Sequence, residues 1–261
     1  LSIREIRCPD EWYKYYVPML KFIKDTAVKG IGASDMLEYY LEHPDECPPD
    51  SVFGVLTREI HEIWVALKIL KEFTKKIDFL WFKQGSNLPV ADINNYSLWY
   101  EFDFTPHTMC RGILQYYCGS FDVSKCKERL PQWLLQIYLQ ICTVLGKSPR
   151  ELQGLRPDII FTQAVSSCHD LFESSTIEIK LIIECKNFDY AYWAKDVNGQ
   201  IIPYKEIFQP EHMVVASLKP VPQDVKNKLE SLGIKVIDHV YPGGDGEKQL
   251  VDYVKRVLSQ V

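Results

Sequence analysis

The chain has 261 residues, 46% of them apolar, and its 30 basic and 35 acidic side chains leave a formal net charge of -5. That much apolar material builds one large domain or two modest ones. The acidic balance excludes bulk electrostatic attachment to nucleic acid but leaves room for a local basic channel. No apolar run approaches the ~18 residues of a membrane span, and nothing reads as a signal peptide, so no membrane partner is expected. Eight cysteines lie dispersed at positions 8, 47, 110, 118, 126, 142, 168 and 185 without a CxxC pair. That spacing writes no zinc ribbon, and a reducing, intracellular and cytoplasmic setting is the expectation.

In chain order, residues 11–40 carry aromatic and aliphatic side chains at helical spacing in two pieces. Gly30 and Gly32 separate them, and Ser34 starts the second. Prolines in the segment 43–50 end it. Residues 51–75 form the clearest helix, with Ser51 as its expected N-cap. Its apolar stripe is Val52, Val55, Leu56, Ile63, Ala66, Leu67 and Leu70. Glu59 falls inside that stripe, where a carboxylate is costly unless it is paired, hydrogen-bonded or bound to a cation. Glu62 sits nearer the border, and His61 is expected to be exposed.

Segments 77–82 and 98–104 read as strands, paired across the turn-forming GSNLP segment. In the second, Trp99, Glu101 and Asp103 alternate with Leu98, Tyr100, Phe102 and Phe104. Asp92, Glu101 and Asp103 are taken as solvated acids. Residues 108–119 and 125–145 read as helices, the latter closed by Gly146. From His212 onward, a strand, a helix over 222–233, a strand over 234–240 and a terminal helix alternate. That alternation argues an α/β layer arrangement. Neither GxGxxG nor GxxxxGK occurs, so a dinucleotide site and a P-loop are unsupported.

The segment from Arg156 to Asn187 organises the chain. A short strand begins at Asp158, and a longer one ends in Glu184-Cys185-Lys186. Strand alternation puts Glu184 and Lys186 on one face and Cys185 on the other. If the two strands pair, Asp158 comes close to both. Two carboxylates and an ammonium at the end of an apolar sheet are suited to a hard divalent ion with a polarised water. The carbonyl of Cys185 is a further oxygen ligand, and Glu59 is placed to complete the set. A lysine there orients or deprotonates the attacking water, or stabilises phosphate charge.

Arg156-Pro157-Asp158 followed by Glu184-Cys185-Lys186 resembles the PD-(D/E)xK nuclease superfamily, over roughly residues 151–261. The downstream VVASLKP and SLGIKVID segments fit the strand–helix–strand of that family, with Ser217 near the sheet edge. The resemblance implies an α/β restriction endonuclease-like core, a central mixed sheet flanked by helices. A mainly helical region over 1–150 would pack on this core, which spans 151–261, and contribute one acid. It implies catalytic roles for Asp158, Glu184, Lys186 and Glu59. The metal ligands would be Asp158, Glu184, Cys185 and Glu59, with Glu128 as the alternative helix acid. Mg²⁺ is the implied cofactor, with Mn²⁺ substituting. Gln200, Tyr204 and Gln209 are candidates for an accessory polar residue after the second strand. The implied activity is metal-dependent endonucleolytic hydrolysis of DNA, by a restriction or defence enzyme acting as a homodimer. A structure-specific repair or recombination nuclease and a non-catalytic binding subunit of the same fold are the alternatives.

Overall fold

The computed structural model of the chain describes residues 9–27, 29–74, 77, 80–104, 131–146 and 155–259. The helix expected over 108–119, the start of that expected over 125–145, and Glu128 lie outside them. Six strands form one mixed sheet, in the order β1 (Ala91–Ile93), β2 (Tyr96–Tyr100), β3 (Ile159–Gln163), β4 (Ile179–Lys186), β5 (His212–Ser217) and β6 (Ile234–Ile237). The first four pair antiparallel, and β4–β5 and β5–β6 pair parallel. Every residue of β4 is buried. Its consecutive Leu181, Ile182 and Ile183 give the near-continuous apolar pattern of a strand covered on both faces.

Helices cover both faces of this sheet. On one side lie α2 (Val17–Thr26), α4 (Asp50–Phe73) and α10 (Asp245–Ser259), with α3 (Asp35–Glu42) packed outside α4. The short α1 (Pro9–Glu11) and a π-helical turn over Trp12–Tyr16 lead into α2. On the other side lie α5 (Gln132–Leu145), α6 (Cys168–Glu173), α7 (Tyr190–Trp193), α8 (Ile202–Phe208) and α9 (Gln223–Ser231). The architecture is thus α/β, a central mixed sheet flanked by helices with a helical region at the N-terminal side. Gly146 closes α5 in the left-handed conformation, φ 58°, as a C-terminal glycine does. Ser34 caps α3, its hydroxyl accepting from the Leu37 amide at 3.2 Å.

Several local expectations are corrected. The helix α4 begins at Asp50 after Pro49, and no side chain caps it, Ser51 included. Its buried surface is not one stripe: Val55 is 56% exposed, whereas every residue from Ile60 to Leu67 is buried. The helix runs between α2 on one side and the sheet with α10 on the other, so its central turns have no solvent face. His61 is accordingly fully buried, its Nε2 2.9 Å from the Val240 carbonyl oxygen, and burial lowers its pKa to about 4. The hairpin partner of β2 is β1, across Asn94-Asn95, not the segment 77–82. Asn94 takes the left-handed conformation such a two-residue turn requires, φ 53°. The described part of 77–82 is not a strand; Leu80 and Phe82 donate to the carbonyls of Gly30 and Ile31. Among the described cysteines, Cys47, Cys142 and Cys185 are free thiols and Cys168 is disulfide-bonded. No helix among the described residues is long and apolar enough to cross a membrane.

Candidate metal centre

Strand direction creates the site. The C-terminal end of β2, the N-terminal end of β3 and the C-terminal end of β4 fall at the same edge of the sheet, because β2–β3 and β3–β4 run antiparallel. Glu101 follows β2, Asp158 precedes β3, and Glu184 and Lys186 finish β4. Along β4, Leu181, Ile183 and Cys185 enter the layer of α4 and α10, while Ile182 enters that of α5 and α8. Glu184 and Lys186 follow the parity of Ile182, as the alternation requires. Their side chains meet, with Lys186 Nζ 3.6 Å from Glu184 Oε2.

Backbone bonds fix the acids. The Cys185 amide donates to Asp158 Oδ2 at 2.7 Å, and the Asp158 amide donates to Glu184 Oε1 at 3.3 Å. The Glu101 amide donates to the Asp158 carbonyl at 2.8 Å, continuing the β2–β3 ladder one step past Tyr100. Glu101 itself is left-handed, φ 42°. That conformation costs an L-residue about 1–3 kcal/mol and tends to persist where the surroundings enforce it. Here it breaks the alternation of the strand, since Trp99, Phe102 and Phe104 enter one layer and Leu98 and Tyr100 the other, and Glu101, expected in solvent, is 9% exposed.

The acid that α4 brings to this cluster is Glu62, and Glu59 lies apart from it. Carboxylate oxygens of Glu62, Glu101 and Asp158 lie within 4.8 Å of one another. Glu62 is fully buried, its Oε2 accepts from the Tyr100 hydroxyl at 3.0 Å, and its Oε1 has no hydrogen-bond partner. Glu59, three residues earlier, is turned toward α3. It accepts from the Ser34 amide at 3.2 Å and the Ser34 hydroxyl at 2.6 Å, and so steadies the start of that helix. Glu184 stands beside the cluster rather than within it, held to the Asp158 main chain, with its buried Oε2 lacking a hydrogen-bond partner.

Lys186 is held from the opposite side. Its ammonium donates to Gln200 Oε1 at 2.9 Å and Asp196 Oδ2 at 3.2 Å. Both partners lie on the stretch between α7 and α8, which carries a π-helical turn over Val197–Ile201. Tyr204, on the next turn, accepts from the Arg156 amide at 3.1 Å. Gln209 ends α8 in the left-handed conformation.

The electrostatics follow from burial and crowding. Burial, then the neighbouring Asp158 and Glu101, push the Glu62 carboxyl well above the usual range. Burial and Asp158 do the same to Glu184, and burial raises Asp158 and Glu101. Burial opposes the charge on Lys186, but Glu184, Asp158 and Asp196 outweigh it, and its pKa ends above the ordinary value. Three carboxylates thus favour the charged form of Lys186. The acids, by contrast, are short of positive charge.

An all-carboxylate donor set selects a hard cation such as Mg²⁺ or Mn²⁺ over softer metals. Glu62 Oε1 and Glu184 Oε2 fit that assignment: both are buried and accept no hydrogen bond, and the nearest cations, Arg58 at 3.5 Å and Lys186 at 3.6 Å, stand off at ion-pair distance. The three converging acids are able to chelate a divalent ion. Neither family models, characterised proteins nor solved structures gave a match to this chain. The structure defines an α/β protein with a buried acidic cluster at one end of a mixed sheet.

Proposed function

We propose that the chain is a Mg²⁺-dependent nuclease of the PD-(D/E)xK kind, hydrolysing DNA phosphodiesters. The observation that carries this reading is the convergence of Glu62, Glu101 and Asp158 beside the strand end Glu184-Cys185-Lys186. The acid before one strand, the E-x-K at the end of its neighbour and a helix glutamate are the parts the sequence resemblance calls for. Glu62 takes the place assigned to Glu59. Strand β5, helix α9 and strand β6 supply the downstream strand–helix–strand, with Ser217 in register with Lys186.

In this reading Asp158, Glu62 and Glu101 would hold the ion, and Glu184 and the Cys185 carbonyl would be available as adjoining oxygen ligands. A bound divalent ion supplies a polarised water and neutralises phosphate charge. Lys186, whose ammonium faces Glu184, Asp158 and Asp196, would orient that water and balance charge on the phosphate. Gln200 and Asp196 fix the position of its ammonium. As a homodimer the protein would present two such centres, one to each strand of a duplex.

The test is Mg²⁺-dependent cleavage of plasmid DNA by the wild-type chain and by Lys186→Met and Asp158→Asn. Both variants are expected to lose at least about a hundredfold in rate, the lower end of what a positioned proton-handling or charge-stabilising group contributes. Full Mg²⁺-dependent cleavage by Lys186→Met would sink the assignment. A panel of duplex, flap, fork and four-way junction DNA separates an enzyme of linear duplex from one of branched substrates.

A further inference from the structure

We propose that Arg58 is the built-in counter-ion of this centre: its guanidinium and a divalent cation compete for the same Glu62 oxygen, and the ion displaces it. The inference rests on the metal-centre reading above and concerns how that site admits its ion.

Arg58 lies one helical turn before Glu62 on α4, at the i, i+4 spacing that brings side chains together. Its Nε is 3.5 Å from Glu62 Oε1, and its Nη2 is 3.9 Å from Glu101 Oε1. These separations exceed the 2.7–2.9 Å of charge-assisted hydrogen bonds, so the guanidinium supplies charge without committing its donors. Glu62 Oε1 has no hydrogen-bond partner, while the other oxygen of the same carboxylate is taken by Tyr100. The oxygen left for a metal is therefore the one facing Arg58.

A permanent structural pair is built differently. Buried arginine–carboxylate pairs gain from short, bidentate contacts that offset the cost of desolvation. Here the carboxylate is 1% exposed and the arginine side chain 52% exposed. Arg58 also lines a cavity of ≈ 550 Å³ with Ser34, Glu38, Glu59, Trp81 and Lys83, so its side chain has somewhere to withdraw. Glu101 and Tyr100 line the same cavity, which therefore reaches the cluster itself. Among the described residues the charge count agrees: the cluster, Glu184 and Asp196 bring five carboxylates, against the cations Arg58, Arg156 and Lys186. Arg58 offsets part of that excess, and a divalent ion offsets more.

The test uses the full chain and Mn²⁺ as the probe, with free aquo-Mn²⁺ followed by electron paramagnetic resonance and melting followed in EDTA and in saturating Mn²⁺. Arg58→Gln is expected to bind Mn²⁺ about tenfold tighter than wild type, the equivalent of ~1.4 kcal/mol of competition removed. Its melting temperature is expected to fall in EDTA and to match wild type in saturating Mn²⁺. Arg58→Lys, whose shorter point charge stands farther from Glu62, is expected to bind a few-fold tighter, and it carries the test if the glutamine variant does not fold. Wild-type binding with no tightening in either variant overturns the counter-ion role while leaving the metal centre intact. Equal destabilisation of Arg58→Gln with and without Mn²⁺ also overturns it, because a merely structural residue behaves that way. No Mn²⁺ binding by the wild-type chain overturns both the metal centre and this inference.

Discussion

Glu62→Gln and Glu59→Gln should move stability in opposite directions in EDTA. Oxygens of Glu62, Glu101 and Asp158 lie within 4.8 Å of one another. At that separation each ionised pair is opposed by ~1 kcal/mol in a water-like medium and by ~3.5 kcal/mol at an effective dielectric of 20. The Glu62→Gln change would remove two such pairs, keep an amide oxygen for the Tyr100 hydroxyl, and give up the attraction of the half-exposed Arg58. A net gain of ~1–3 kcal/mol at pH 8 follows, or roughly 2–6 °C in melting temperature for a chain of this size. Glu59→Gln weakens the hold on Ser34 and is expected to cost about 0.5–1 kcal/mol. Saturating Mn²⁺, at about 100 times Kd, stabilises wild type and Glu59→Gln by ~2.7 kcal/mol and Glu62→Gln by much less. The pH dependence gives a second reading. The folded-state pKa of Glu62 is raised above its unfolded value, so its carboxyl detracts from stability increasingly as pH rises from ~4.3 through the folded pKa, and the detriment is absent below the unfolded value. The advantage of Glu62→Gln should therefore shrink as pH falls from 8 toward 5. Differential scanning calorimetry in EDTA at several pH values measures it. A Glu62→Gln protein less stable than wild type at pH 8, yet fully stabilised by Mn²⁺, would refute the reasoning.

Two further outcomes are expected. Tyr100→Phe leaves a buried Glu62 oxygen without its 3.0 Å donor, which should cost about 1–3 kcal/mol in EDTA and less with Mn²⁺ present, as denaturant titration would show. His61 acts on the acid side: its pKa is lowered by burial to about 4, so its neutral form supports the fold above ~6.5 and that support is lost as pH falls toward 4. By then it amounts to ~3 kcal/mol; a His61→Gln variant with an unchanged acid limb in its stability profile would contradict this.

What the sequence made legible is what depends on local periodicity. The pairing of the strand after Asp158 with the strand ending in Glu184-Cys185-Lys186, and the strand–helix–strand after His212, are where alternation and turn residues put them. The α4 acid was not legible, and the reason is geometric. A stripe argument assumes one wet face, and it selected Glu59; α4 lies between a helical layer and the sheet, so Glu62, at the edge of that stripe, is the fully buried acid. Glu101 was hidden by a single backbone angle. Alternation extended from β2 through 104 puts it with Trp99, on a face expected to be polar but in fact buried, and the left-handed turn at φ 42° then breaks the alternation. Nothing in the sequence marks a glutamate for that conformation, which glycine and asparagine favour.

Both misplacements have one physical origin. A buried carboxylate is unfavourable in isolation, so residue-by-residue reasoning steers each acid toward water or a nearby partner. At this sheet edge, strand direction and helix burial bring Glu62, Glu101 and Asp158 together, each raising the cost of the others. A bound cation would offset that cost. The acids that local rules place least well are therefore the ones whose stability should depend most on Mn²⁺, and the contrast between Glu62→Gln and Glu59→Gln measures that dependence directly.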